Sequence, residues 1–240
     1  MPSLNSHDKA PVLLRISIPD GRIELEADCR GYPPPQFIAD PMRYFETEGR
    51  AVRHGDLVFD EFGAIEDDPA AVRDFPPWRN AQDQPLQVVC KRVNLLKSDV
   101  RRTRDPYYEY RVLHLARCLG LPTARPIARL VHRGCFFILT ERVSGLRWVQ
   151  RRSAGIDESR SGKIREQAEA LLAQLEATAL AAGLRRRWHV KDTVIQLDEA
   201  MQTVLAVVAL DWERVKLDFE RLARTPAAHL LREFKPPEPD

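Results

Sequence analysis

The 240-residue sequence predicts an α+β protein. Residues 86–140 read as strand, helix and hairpin in that order, residues 161–182 carry the apolar repeat of a long amphipathic helix, and residues 12–27 alternate apolar with polar about a turn. Two periodicities in separate stretches set the class.

From the N-terminal end, residues 12–18 and 22–27 flank Pro19-Asp20-Gly21, a β-hairpin with its own turn chemistry. Gly31-Tyr32-Pro33-Pro34-Pro35 is an extended breaker, residues 37–45 are short and mixed, and residues 56–60 predict another strand. Residues 65–85, rich in Asp, Pro and polar side chains, predict a surface loop. The run 86–92 is a short buried strand with Lys91 near its end. A polar connection leads to a helix over 106–120, in which Val112, Leu115, Ala116 and Leu119 recur at helical spacing. Glu109 lies in its first turn, where the helix dipole favours a carboxylate, and Gly120 suits its C-terminal cap. Pro122 and Pro126 break the helix, and residues 127–131 and 135–140 form two strands turning at His132-Arg133-Gly134.

Beyond Gly145, Arg147, Arg151 and Arg152 surround Trp148, and a Ser/Gly/Asp connector follows. The helix over 161–182 is carried by Ile164, Ala168, Leu171, Leu172, Leu175 and Ala179 and ends at Gly183. A basic turn, Arg185-Arg186-Arg187-Trp188-His189, leads into a strand over 193–198. A second strand, 204–210, delivers Asp211-Trp212-Glu213-Arg214. A final helix to Phe234, starting at Trp212 or Lys216, and a frayed tail over 236–239 complete the chain, with no internal repeat.

Taken singly, the charged residues have plain structural readings. Lys91 protects a strand edge, Glu109 answers the helix dipole, and Asp211 at a strand-to-helix junction is an N-cap. Taken in order, they carry more. The strand lysine, the helix glutamate, the turn Gly120-Leu121-Pro122-Thr123-Ala124-Arg125-Pro126 and the hairpin ending in Phe136-Phe137-Ile138-Leu139-Thr140-Glu141-Arg142-Val143-Ser144-Gly145 resemble the N-terminal lobe of the protein-kinase-like superfamily. The chain is most similar in flavour to the compact bacterial lipopolysaccharide sugar kinases. The resemblance covers residues 86–147, is looser over 165–215 and is absent before about residue 80.

That resemblance implies a two-lobed fold: a β-rich N-terminal lobe over 1–147, with an N-terminal extension, and a reduced helical C-terminal lobe over 148–240. It implies ATP and Mg2+ as cofactors. Lys91 would meet the α- and β-phosphates and be held by Glu109, while the backbone over 139–143, including Glu141 and Val143, would meet adenine. Asp211 would carry the metal with Asp198 as a second ligand, and Asp192 would act as the base toward an acceptor hydroxyl. The acceptor would be a sugar or glycolipid. Two departures qualify the pattern. Gly49, Gly55 and Gly63 are too scattered to form a glycine-rich phosphate loop. The catalytic turn reads in two registers: one puts His189 and Val194 where the family has its base and its asparagine, the other makes Asp192 the base and Asp198 or Gln196 a metal ligand. A second function therefore stands beside phosphotransfer, a pseudokinase that binds a protein partner.

Composition bounds the remaining classes. Lysine and arginine number 37 against 35 acids, a net charge of +2 that disfavours nucleic acid as a partner. The Arg185–Arg187 run reads as a solvated turn. Four widely spaced cysteines, Cys29, Cys90, Cys118 and Cys135, read as reduced thiols. Neither a signal segment nor a transmembrane run is recognisable, so a cytoplasmic protein is expected, the inner membrane face being where a glycolipid acceptor would be met.

Overall fold

The computed structural model describes residues 12–51, 72–93, 95, 105–152 and 154–234. The fold is α+β, and the chain divides into two compact units that interleave along the sequence. Of the described residues, one takes those from Val12 to Tyr110 together with Arg125–Arg142; the other takes Arg111–Ala124 and those from Val143 on. The sequence had suggested a single boundary after residue 147. The expected strand over 56–60 and the tail over 236–239 lie outside the described residues.

The first unit is built on an antiparallel sheet. Strands β1 (Leu13–Ile18) and β2 (Gly21–Glu26) form the N-terminal hairpin, with Asp20 at φ 54° in its turn. Helices α1 (Pro35–Ala39) and α2 (Pro41–Thr47) follow, Asp40 capping α2 by accepting from the Arg43 N–H at 3.0 Å. The short strands β3 (Arg50–Ala51), β4 (Val72–Asp74), β5 (Trp78–Arg79) and β6 (Pro85–Leu86) precede β7 (Val88–Arg92). Helix α3 (Tyr108–Cys118), whose residues from Arg111 on belong to the second unit, β8 (Pro126–His132) and β9 (Cys135–Glu141) complete the expected strand–helix–hairpin series. In the seven-stranded sheet the order is β1-β2-β8-β9-β7-β4-β3, so β9 returns between its hairpin partner and the lysine strand. The N-terminal hairpin extends this sheet by pairing β2 with β8.

From Val72 onward the expected loop over 65–85 is corrected. Phe75 and Trp78 are 4% and 2% exposed and pack with Phe37, Tyr44 and Phe45. Edge-on and tilted ring contacts such as Phe37–Trp78, centroids 5.0 Å apart, join these short strands to the two small helices.

In the second unit, α4 (Glu158–Ala182) buries Ile164, Ala168, Leu172, Leu175 and Ala179, the stripe its spacing predicted apart from Leu171. Asp157 accepts from the Arg160 N–H at its start, and Gly183 ends it at φ 97°. Strand β10 (Leu146–Arg147) pairs with β12 (Thr193–Leu197), which pairs with β13 (Val204–Ala209). Strand β11 (Leu184–Arg185) pairs with β14 (Lys216–Leu217). The predicted final helix is another correction: Trp212 and Val215 are buried in a non-helical segment, β14 follows, and only the one-turn helix α5 (Phe219–Leu222) and a 3₁₀ stretch, Pro226–Glu233, are helical. Asp218 and Thr225 cap those two turns. A proline at the first position of the second turn restarts the chain rather than continuing one helix.

Candidate functional site

Within the first unit, β7 and α3 bring Lys91 and Glu109 together. Lys91 Nζ lies 2.6 Å from Glu109 Oε2, with the lysine side chain 21% and the carboxylate 9% exposed. Both come from where the sequence suggested, one from near the end of β7 and the other from the first turn of the helix. A charge-assisted bond of this length fixes the direction of a flexible ammonium. Cys90, beside Lys91, points to the opposite, fully buried face of the strand. Glu141 ends β9, its N–H donating to the Arg125 carbonyl at 2.8 Å, and its carboxylate lies 3.7 Å from the Arg125 guanidinium. Val143, half-buried, is the first residue of the C-terminal segment of the second unit.

Within the second unit, Asp192 and Asp211 are neighbours by backbone pairing. Thr193 stands opposite Ala209 in the β12–β13 ladder, and the Leu210 N–H donates to the Asp192 carbonyl at 3.0 Å. Asp192 closes the 3₁₀ turn Val190–Asp192, its carboxylate accepting from the His189 N–H at 3.4 Å. The main chain at Asp211 is held by Trp188, and the residues on either side of the contact are themselves fixed. The Asp211 carbonyl accepts from Trp188 Nε1 at 2.9 Å, the Trp188 N–H is taken by Glu176 Oε1 at 2.6 Å, and the buried Trp212 indole donates to the Ala209 carbonyl. The two indoles pack at 4.8 Å between centroids.

Asp211 Oδ2 meets Arg186 Nη2 at 2.7 Å, whereas Oδ1 is buried with no hydrogen-bond partner among the described residues. Arg186 was read from sequence only as part of a solvated run. The alternation of an extended strand was the available signal: Leu184, Arg186 and Trp188 face inward, Arg185 and Arg187 outward.

The pairing of Asp198 with Asp211 on one ion is corrected. Asp198 lies past the opposite end of β12, about 15 Å or more of strand from the Asp211 end. Its carboxylate is engaged in the hairpin turn, accepting from the Gln202 and Thr203 N–H groups at 2.7 and 3.1 Å. Those bonds hold its pKa below the usual carboxylate value.

Among the described residues one further set of potential metal ligands exists, Glu26, Asp28 and Cys29, with ligand atoms within 4.8 Å of one another. Arg125 bonds to all three, and burial pushes the Cys29 thiol up to about 12, so this cluster is a structural ion-pair network.

No family model matches the chain, and no curated protein matches it. Among solved structures it is similar to the bifunctional kinase-methyltransferase WbdD, at 11% identity and a TM-score of 0.42, over 85% of this chain and 37% of that one. The chain thus spans little more than a third of that protein's length. An overlap this loose assigns no residue a role. Among the described residues no helix is long and apolar enough to cross a membrane.

Proposed function

We propose that this chain is a small ATP-dependent phosphotransferase of kinase-like construction, acting on a sugar or glycolipid hydroxyl. The observation that carries the reading is the Lys91–Glu109 pair, a half-buried ammonium aimed by a nearly buried carboxylate across the strand–helix step. An ammonium so held is a point charge suited to phosphate oxygens. Glu109 keeps it from folding back on solvent or on the sheet.

Mg2+ is commonly bound through one or two carboxylates, with phosphate oxygens and water completing its shell. Asp211 fits that description, since Oδ1 is buried and unbonded among the described residues and its backbone is clamped by Trp188. The ion, when bound, neutralises phosphate charge during transfer. Asp192 orients the acceptor hydroxyl and takes its proton, and its attachment to Leu210 supports that assignment by keeping it beside Asp211 in the second unit. Glu141 and Val143 contribute backbone groups to the adenine. The acceptor class rests on the sequence resemblance alone.

A second reading, a pseudokinase that binds a protein partner, is favoured by one observation: the Asp211 carboxylate is already neutralised by Arg186. The two part on turnover. ATP consumption should appear with Mg2+, rise with a lipopolysaccharide-type sugar acceptor, and vanish in Asp211→Asn. ATP binding with no consumption under any acceptor, unchanged in Asp211→Asn, would transfer the assignment to the pseudokinase.

A further inference from the structure

We propose that Arg186 is the resident counter-cation of Asp211, and that a divalent ion reaches this carboxylate only by displacing the guanidinium. The inference rests on the reading of Asp211 as a cation site and adds a competitor to it.

The argument begins with the parity of the chain. In the extended stretch after Gly183, alternate side chains turn inward, which places one arginine of three inside. Arg186 is 7% exposed, against 33% for Asp211, so the guanidinium is the deeper member of the pair. A cation removed from water that far requires an anion, and the described residues supply Asp211 at 2.7 Å. The fit is incomplete. Among the described residues, Arg186 uses only Nη2 on the carboxylate, its Nε and Nη1 are buried without partners, and Asp211 Oδ1 is likewise unbonded. A forked, two-bond arrangement would have satisfied most of these atoms. Single attachment leaves a latch that can release, and the Trp188 ring, 5.8 Å from the guanidinium carbon, gives the cation a face to slide along.

Electrostatics makes the two cations alternatives. One carboxylate and one guanidinium sum to zero, so a divalent ion added beside Arg186 would meet a site without net attraction and a like charge a few ångströms away. With the guanidinium withdrawn, the same ion meets a full negative charge and two free oxygens. The arginine therefore tunes the site toward cations that arrive with phosphate, whose own charge can engage Arg186.

The test uses the full chain without nucleotide and manganous ion alone as the probe, bound ion being counted by the loss of the free-ion electron paramagnetic resonance signal. Arg186→Gln should bind manganous ion at least tenfold more tightly than the wild type, and Asp211→Asn added to it should abolish the gain. Equal affinity in wild type and Arg186→Gln overturns the latch while leaving the cation site intact. No binding in either overturns the cation site and the latch together. A readout that needs no folded Arg186 variant is Trp188, whose indole donates to the Asp211 carbonyl and lies under the guanidinium. Saturating manganous ion should change tryptophan emission in the wild type and not in Asp211→Asn, after correction for the ion's nonspecific quenching; identical responses in the two proteins overturn the displacement.

Discussion

Glu109→Gln tests the carrying pair most sharply, because it removes a charge and almost no volume. At 2.6 Å and an effective dielectric constant near 20, the gross attraction between the two heads is about 6 kcal/mol. Desolvation cancels most of it. Exposed pairs contribute about 0.2–1 kcal/mol and breaking a fully buried pair costs about 3–5 kcal/mol. With side chains 21% and 9% exposed, the Lys91–Glu109 pair falls between those limits, and a coupling of about 2 kcal/mol is expected. For a chain of this length that corresponds to a fall in Tm of roughly 4–8 °C. The assay is urea unfolding of wild type, Glu109→Gln, Lys91→Met and the double variant, since the cycle isolates the pair from whatever else each side chain touches. The double variant should be more stable than the sum of the single losses predicts. A coupling below about 0.3 kcal/mol would mean that the two charges do not act on each other in solution, and the aiming of Lys91 by Glu109 would fall.

Three other outcomes follow from the geometry. Gly183 caps α4 at φ 97°, and a Cβ there would stand 3.0 Å from the Asp218 carbonyl, so Gly183→Ala should lower stability by about 1–2 kcal/mol in urea titration, and a neutral result would contradict the cap. Asp198 has a pKa lowered by the Gln202 and Thr203 N–H groups, so its contribution is present above the ordinary carboxylate value and is lost as pH falls through the lowered one. The Tm deficit of Asp198→Ala should accordingly be widest near neutrality and close in acid, and a deficit independent of pH would refute the turn. In native protein at pH 8, Cys118 and Cys135, partly exposed, should react with a disulfide reagent before Cys29 and Cys90, whose pKa values burial raises, and faster labelling of Cys29 would contradict its raised pKa.

What the sequence disclosed follows from signal length. Helix α4 spans 25 residues, long enough for its apolar spacing, its Asp157 cap and its Gly183 stop to agree, and the strand–helix–hairpin series carried similar redundancy. Strands β3 to β6 are two or three residues each, too short for any period to declare itself, so Phe75 and Trp78 looked like isolated apolar residues in a loop. The C-terminal helix was misread because one continuous helix to Phe234 passed over the caps inside it. Asp218 and the Thr225-Pro226 step both start new turns and were legible as such. Lys91 and Glu109 were found from their order along the chain. Arg186 was missed because a run of three arginines looks uniformly solvated until strand parity assigns each one a side.

The central claim is that Lys91 anchors a nucleotide through its phosphates, and calorimetric titration of ATP into wild type and Lys91→Met tests it most directly. Loss of a charge-assisted contact of about 1.5–3 kcal/mol should weaken binding roughly 10- to 150-fold while AMP affinity, lacking the β-phosphate, changes less. Equal ATP affinity in the two proteins, or no heat of binding to the wild type at millimolar ATP, would contradict it.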